Sequence, residues 1–76
     1  MSIHDFRGLK CPIPVLKAYK VIKEEKETSE FLFLTDDVSA PRDFKEFCNN
    51  TGYIFVGVTK KKNYSEIKVG NPNPEK

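Results

Sequence analysis

The chain has 76 residues, a formal net charge of +2, and two cysteines. This length predicts one small domain, which we place at residues 1–70. The near-neutral charge gives little support to direct nucleic acid binding. No apolar run approaches the roughly 20 residues of a membrane helix, the polar start "MSIHDFRGLK" is not a signal peptide, and two cysteines are too few for a secreted disulfide scaffold. We therefore expect a reduced, cytoplasmic protein.

The first half of the chain predicts a strand, a helix and a second strand. Residues 2–6, "SIHDF", predict a short strand despite imperfect alternation. Residues 12–27 predict an amphipathic helix, because apolar side chains recur at i, i+3, i+4 and i+7 in Val15, Ala18, Tyr19 and Ile22. Residues 31–35, "FLFLT", predict a strand that is central in its sheet or covered on both sides.

The second half predicts a helix, two strands and a tail. Pro41 suits the first turn of the helix, Gly52 suits its end, and the apolar stripe is Phe44, Phe47, Cys48 and Thr51. Residues 53–59 predict a third strand with Ile54, Val56 and Val58 on one face. Residues 64–69 predict a fourth, antiparallel to it. Residues 71–76 predict a flexible tail.

The predicted order β-α-β-α-β-β indicates an α/β fold. Right-handed crossovers place both helices on one face of the sheet when the strand order permits. We therefore expect a two-layer α/β sandwich with a four-stranded mixed sheet. The other face of the sheet would be partly open, and Tyr53, Phe55 and Tyr64 are candidates to lie there.

Cys11 stands in "RGLKCPIPVLK", where the first helix is predicted to begin. Pro12 disfavours helical geometry at the residue before it and fits the first helical position, and Pro14 fits the third. Gly8 gives the approaching loop its freedom. A helix N-terminus favours an anion such as a thiolate.

Basic residues near the motif would add to this effect. Arg7, Lys10 and Lys17 are close to Cys11 in sequence and are candidates for partner docking, Lys17 above all. The alternative interpretation is that Lys17 belongs to the solvated face of the helix, and that Cys11 is only a small buried residue at a helix start.

Several classes of cysteine site do not fit. A cysteine hydrolase needs a base, and the single histidine, His4, lies in the first strand. A zinc site needs about four Cys or His ligands, and only three scattered ones are present. A Cys-x-x-Cys redox site would need a cysteine where Pro14 stands. We therefore expect no metal and no cofactor, and Cys11 is predicted to be a nucleophile or a carrier.

Other residues have simpler interpretations. Cys48 is predicted to be a core cysteine, although a disulfide between the two cysteines stays open. Of Asp36 and Asp37, one is expected to cap the second helix and the other to be solvated, the alternative being a catalytic or metal role. Residues 60–62, "KKK", predict a charged hairpin turn, the alternative being a docking patch.

The stretch "DFRGLKCPIPVLK" resembles the TusA/SirA family of small sulfur-carrier proteins, whose signature is Cys-Pro-x-Pro after a strand and a glycine turn. "TDDVSAPRDFKEFC" is similar to the acidic turn and second helix of that family. The resemblance covers about residues 3 to 70. It implies a cytoplasmic two-layer sandwich in which Cys11 carries a persulfide.

The resemblance also implies partners. Sulfur would come from a cysteine desulfurase and pass to a relay protein, with 2-thiouridine in tRNA as the best-known destination. The chain would then be a protein substrate in a transfer chain more than an enzyme with small-molecule turnover. The rival hypothesis is a small RNA-binding or regulatory module that uses the basic face of the first helix.

Overall fold

The computed structural model describes residues 1–10 and 12–74. Its elements are two helices and four strands: β1 (Ser2–Asp5), α1 (Ile13–Glu24), β2 (Glu30–Thr35), α2 (Ala40–Thr51), β3 (Ile54–Lys60) and β4 (Ser65–Gly70). The strands form one sheet in the order β1-β2-β4-β3. β1 is parallel to β2, and β4 is antiparallel to both β2 and β3. The predicted four-stranded mixed sheet is confirmed.

Both helices pack on one face of this sheet. Alternate residues of β2 and β4 point towards them, so Phe31, Phe33, Ile67 and Val69 are fully buried. The buried residues of the helices join the same core cluster, and they are Ala18, Ile22, Ala40, Phe44, Phe47 and Cys48. Because this core lies between two layers only, the opposite face of the sheet stays open. β2 is central, as predicted, but it is covered on one side.

Helix α1 is shorter than predicted, and its prolines are shifted by one position. Pro12 is the N-cap and Pro14 the second helical residue, where we predicted the first and third helical positions. The helix ends at Glu24, because Glu25 leaves helical geometry while its carboxylate accepts a hydrogen bond from Ser2 Oγ at 2.7 Å. Tyr19, predicted on the buried stripe, is 41% exposed.

Pro41 lies in the first turn of helix α2, as predicted, and the helix ends at Thr51, just before Gly52. Gly52 caps it with a left-handed φ of 88°, a conformation that glycine adopts without steric cost. Phe44, Phe47 and Cys48 are buried. Thr51, predicted on the same stripe, is instead exposed, and its hydroxyl donates a hydrogen bond to the Phe47 carbonyl oxygen at 2.7 Å.

A β-bulge in β3 overturns two predictions about side-chain direction. The register shifts between Phe55 and Gly57, so that Phe55 pairs with Val69 and Val58 with Ile67. Phe55 and Val58 therefore share the helix-covered face, and both pack against the core. Ile54 and Val56 are 51% exposed on the other face. Strict alternation over 53–59 was the wrong assumption, because a bulge adds one residue to one strand.

The expected aromatic cover of the open face is also wrong for two of its three residues. Tyr53 and Phe55 pack against the core from the helix side. Tyr64 lies before β4, and the Arg7 guanidinium carbon stands 5.2 Å from the centre of its ring. The open face carries Ile3 instead, which is 63% exposed.

The described residues contain no helix that is both long and apolar enough to cross a membrane.

After β4, the Asn71 backbone N–H donates a hydrogen bond to the Ser29 carbonyl oxygen at 2.7 Å. The division into a domain at 1–70 and a flexible tail stays a prediction.

Candidate functional site

The loop that leads from β1 towards the cysteine motif is fixed by backbone hydrogen bonds. The Phe6 N–H donates to the Leu34 carbonyl oxygen at 2.8 Å, which extends the parallel pairing one residue past β1. The Leu9 N–H then donates to the Phe6 carbonyl oxygen at 3.2 Å and closes a turn. The Lys10 carbonyl oxygen accepts from the Ile13 N–H at 2.8 Å. The backbone is therefore held on both sides of Cys11, which itself lies outside the described residues.

Gly8 is the residue that lets this loop turn. Its φ is +89°, in the left-handed region, and a Cβ built there would meet no heavy atom within 4 Å. The glycine is therefore needed for its backbone conformation and not for space. Its N–H points at the carboxylate of Asp36, with distances of 3.1 Å and 3.2 Å to the two oxygens.

Arg7 is engaged on two sides. Its Nε and one terminal nitrogen donate to the two carboxylate oxygens of Asp5 at 2.9 Å and 2.8 Å, and its guanidinium stands over the Tyr64 ring. The hydrogen bonds from Arg7 lower the pKa of Asp5 to about 2. Asp5 offsets the charge of Arg7. Among the described residues, Lys10 and Lys17 are the basic residues near the motif that are exposed and form no ion pair.

The start of α1 exposes an unusual set of side chains. Pro14 is buried against the core, whereas Ile13 and Leu16 are 43% and 62% exposed. Lys17 follows on the same side of the helix, since positions 13, 16 and 17 are three and four residues apart. No acidic residue lies in the first turn and no side chain caps it. The positive end of the helix dipole is thus unopposed by a carboxylate of α1 itself.

A cleft of about 330 Å³ lies beside Pro12, between the two helices. Pro12, Val15 and Phe47 give it apolar walls, and Asp43 and Glu46 line it from α2. Oδ2 of Asp43 is buried and has no hydrogen-bond partner among the described residues.

The acidic pair after β2 has two different roles. Asp37 Oδ1 accepts hydrogen bonds from the Ser39 N–H at 3.1 Å and the Ser39 hydroxyl at 3.0 Å. The N-cap of α2 is Ser39 and no side chain caps the helix, so the prediction of an aspartate cap is wrong. The expectation that one of the pair is only solvated is also wrong, because Asp36 accepts a hydrogen bond from the Gly8 N–H. Sequence reasoning missed this partner, although parallel strands that end at one edge would have indicated it.

The basic turn "KKK" lies at the same end of the molecule. Asp36, Asp37 and Val38 line one cleft together with the residues of the β3–β4 turn, Lys60 to Lys62 among them. Lys61 forms a 4.0 Å ion pair with Glu66. The turn is therefore near the acidic loop, and the prediction of a plain charged turn stays open.

Cys48 and His4 lie away from the motif loop. Cys48 is a free thiol, 3% exposed, and burial raises its pKa to about 11, which keeps it protonated and unreactive. His4 Nε2 lies 3.1 Å from Glu25 Oε2, beyond the end of α1 that is opposite to Pro12. Glu25 therefore orients the ring of His4, but the length of α1, about 18 Å, separates Glu25 from the motif. The described residues contain no cluster of three metal-ligating side chains.

Comparisons with known proteins agree with this architecture. The family model described as Sulfurtransferase TusA matches residues 3–70, and the chain therefore belongs to the TusA family. A candidate sulfur carrier protein of Neisseria meningitidis is 36% identical over 56 residues, covering 74% of this chain and 76% of that protein. A candidate sulfur carrier protein of Archaeoglobus fulgidus is 30% identical over 69 residues, covering 91% of this chain and 94% of its own.

A solved structure shares the fold. The crystal structure of the SirA-like protein from Desulfitobacterium hafniense superposes with a TM-score of 0.79 at 25% identity, covering 92% of this chain and 96% of that one. The likeness therefore extends over both helices and the whole sheet. The resemblance to the TusA/SirA family, first indicated by the motif around Cys11, is confirmed.

Proposed function

We propose that this protein is a sulfur carrier that accepts sulfane sulfur as a persulfide on Cys11 and relays it to a partner protein. Membership of the TusA family and the names of its relatives support the carrier role. The structural observation that supports Cys11 as the site is the identity of the residue that forms the N-cap of α1. Pro12 is that residue, and Cys11 is its immediate predecessor in a sequence that matches the family motif.

The reaction at Cys11 would be a thiolate exchange without net oxidation. The Cys11 thiolate attacks the outer sulfur of a cysteine persulfide on the donor protein. The S–S bond of the donor breaks and its cysteine leaves as a thiolate, while a new S–S bond forms on Cys11. Delivery repeats the step with an acceptor thiolate as the nucleophile, so the carrier regains its thiolate.

This chemistry needs a thiolate but no dedicated base. The N-terminus of α1 contributes roughly half a positive charge, and Lys10 and Lys17 lie on either side of Cys11 in sequence. Together they favour the anion over a thiol whose ordinary pKa is about 8.5. A histidine base is not required, which agrees with the position of His4 at the other end of α1.

The exposed start of α1 suits docking to the donor and acceptor. Ile13 and Leu16 offer apolar surface next to Pro12, and Lys17 adds a positive charge beside them. We infer a cysteine desulfurase as the donor, a downstream relay protein as the acceptor, and the cytoplasm as the location. Synthesis of 2-thiouridine in tRNA is one pathway that such a relay would supply.

Transfer of radiolabelled sulfur tests the proposal. The protein is incubated with a cysteine desulfurase and radiolabelled cysteine, freed of both, and resolved on a non-reducing gel before and after addition of dithiothreitol. We expect label on the wild type and on Cys48→Ser that dithiothreitol removes, and none on Cys11→Ser. Equal labelling of the Cys11→Ser protein would contradict the assignment.

A further inference from the structure

We propose that Asp36 is a positioning residue for Cys11, acting through its hydrogen bonds to the Gly8 backbone N–H. The inference rests on the proposed function, because it assigns to Asp36 a part in presenting the sulfur of Cys11 to partner proteins. Asp36 itself belongs to the loop after β2 and is 28 positions away from Gly8 in sequence.

The parallel pairing of β1 and β2 brings these two loops together. Asp5, the last residue of β1, pairs with Leu34, and β2 ends one residue later at Thr35. The segments that follow β1 and β2 then leave the sheet at the same edge. The loop from β1 turns through Gly8 and the loop from β2 begins with Asp36, so the contact joins two segments that start side by side.

The hydrogen bond from the Gly8 N–H to Asp36 connects the loop after β1 to the loop after β2. Both carboxylate oxygens lie within 3.2 Å of the Gly8 nitrogen. A carboxylate binds an N–H more strongly than a neutral acceptor does, which matters here because the contact is exposed and water competes for it. Without it, the left-handed turn at Gly8 would be held, among the described residues, by the Leu9-to-Phe6 hydrogen bond and by the Asp5–Arg7 contacts just before it.

The effect on Cys11 follows from chain connectivity. Two residues separate Gly8 from Cys11, and on the far side of Cys11 the helix N-cap fixes the backbone. A looser turn at Gly8 therefore widens the range of directions open to the sulfur. An exchange between two sulfurs requires close alignment, so misplacement lowers the rate at saturating donor more than it lowers affinity for the donor.

The charge of Asp36 must be separated from its hydrogen bond. A carboxylate near a thiolate raises the pKa of the thiol, and Asp36→Ala and Asp36→Asn both remove that charge. The Asn side chain retains a carbonyl oxygen that accepts the Gly8 N–H, whereas Ala retains nothing. The difference between the two variants, compared at equal thiolate fraction, isolates the hydrogen bond.

The experiment compares wild type, Asp36→Ala, Asp36→Asn and the surface control Glu27→Ala. For each, we measure the rate of sulfur acceptance from a cysteine desulfurase as a function of donor concentration, and the pH profile of Cys11 alkylation. We expect Asp36→Ala to lower the saturating rate about five- to tenfold with little change in the half-saturating donor concentration. Asp36→Asn should recover to within about twofold of wild type, and Glu27→Ala should match it.

A second readout needs no sulfur donor. Amide hydrogen exchange at Gly8 reports the hydrogen bond itself, and exchange of the Cys11 thiol with a small aromatic disulfide, which needs no docked geometry, reports the intrinsic reactivity of the thiol. Faster Gly8 exchange in Asp36→Ala, with disulfide exchange unchanged at equal thiolate fraction, supports the inference. A wild-type protein that accepts no sulfur would overturn the carrier proposal alone. A wild-type rate in Asp36→Ala, or equal loss in Asp36→Asn and Asp36→Ala, would overturn the positioning role.

Discussion

The carboxylate of Asp5 binds the side chain of Arg7 through two hydrogen bonds of 2.9 Å and 2.8 Å, and also accepts the Arg7 backbone N–H at 3.0 Å. These hydrogen bonds link Asp5, the last residue of β1, to Arg7 in the loop that follows, and so stabilise the first turn after β1. Arg7 is therefore a loop-stabilising residue as well as a docking candidate.

This pairing predicts a measurable titration. The hydrogen bonds from Arg7 lower the pKa of Asp5 from 3.8 to about 2. A carboxylate whose pKa is lowered in the folded state contributes stability above its unfolded pKa and loses it as the pH falls towards its folded pKa. The Asp5 contribution should therefore fade between pH 3.8 and about pH 2.

Carboxyl-detected NMR titration of Asp5 checks this directly. In Arg7→Ala the pKa of Asp5 should return towards 3.8, whereas Lys10→Ala should leave it unchanged. A pKa near 3.8 in the wild-type protein would contradict the side-chain geometry.

Gly8 and Gly52 form a matched pair for substitution. Both have a left-handed φ, +89° and +88°, and a Cβ at either would meet open space. Alanine at each position should therefore cost a similar amount, about 1–2 kcal/mol of unfolding free energy, which urea melts would measure.

The two variants should differ in the chemistry of Cys11. Gly8→Ala distorts the loop next to the motif, so it should slow sulfur acceptance, while Gly52→Ala at the end of α2 should leave the rate unchanged. Equal rates in the two variants at matched stability would show that the Gly8 turn does not present the sulfur.

Cys48 is predicted to be inert but structurally useful. Burial raises its pKa to about 11, so in the native protein iodoacetamide should modify Cys11 far faster than Cys48. Cys48→Ala should retain sulfur acceptance and lose roughly 1 kcal/mol of stability for a small core deletion. Peptide mapping after timed alkylation, with a urea-unfolded control, gives the rates at which iodoacetamide modifies Cys11 and Cys48. Equal native rates would contradict the assignment of both cysteines.

Pro12→Ala tests the role of the motif prolines. Pro12 is the N-cap, and a proline ring disfavours helical geometry at the residue before it. Alanine removes that restriction and lets the helix extend towards Cys11, so the thiol pKa should rise towards about 8.5 and transfer should slow while the fold persists. The measurement is pH-dependent alkylation.

Pro14→Ala is the control for this variant. Pro14 is buried in α1 and not adjacent to Cys11, so its replacement should change stability more than reactivity. An unchanged thiol pKa and transfer rate in Pro12→Ala would show that the prolines do not orient the sulfur.

The element order and the layer arrangement could be predicted from the sequence, because hydrophobic periodicity and right-handed crossovers leave few alternatives. The direction of side chains in β3 could not. The one sign of the extra residue in "YIFVGVT" is Gly57, because an isolated glycine inside a strand favours a bulge without fixing which residue is the extra one. One extra residue reverses every side chain beyond it.

The site was predictable in part for a different reason. The motif from Gly8 to Pro14 is local, so the sequence itself indicates a turn before a helix. The tie from Asp36 to Gly8 and the stacking of Arg7 on Tyr64 join distant segments. Such contacts depend on which strand ends share an edge of the sheet. The predicted parallel pairing places the two loops near each other, but the residues in contact follow from the register of β1 on β2.

The central claim is that Cys11 carries the sulfur, and the intact mass of the protein after incubation with a cysteine desulfurase and cysteine tests it most directly. We expect a gain of about 32 Da per sulfur atom, reversed by dithiothreitol, mapped to the peptide that contains Cys11, and absent from Cys11→Ser. RNA-binding or regulatory modules would show no such gain. A wild-type mass that stays unchanged while the desulfurase turns over, or a gain that persists in Cys11→Ser, would contradict the role of Cys11 as the sulfur carrier.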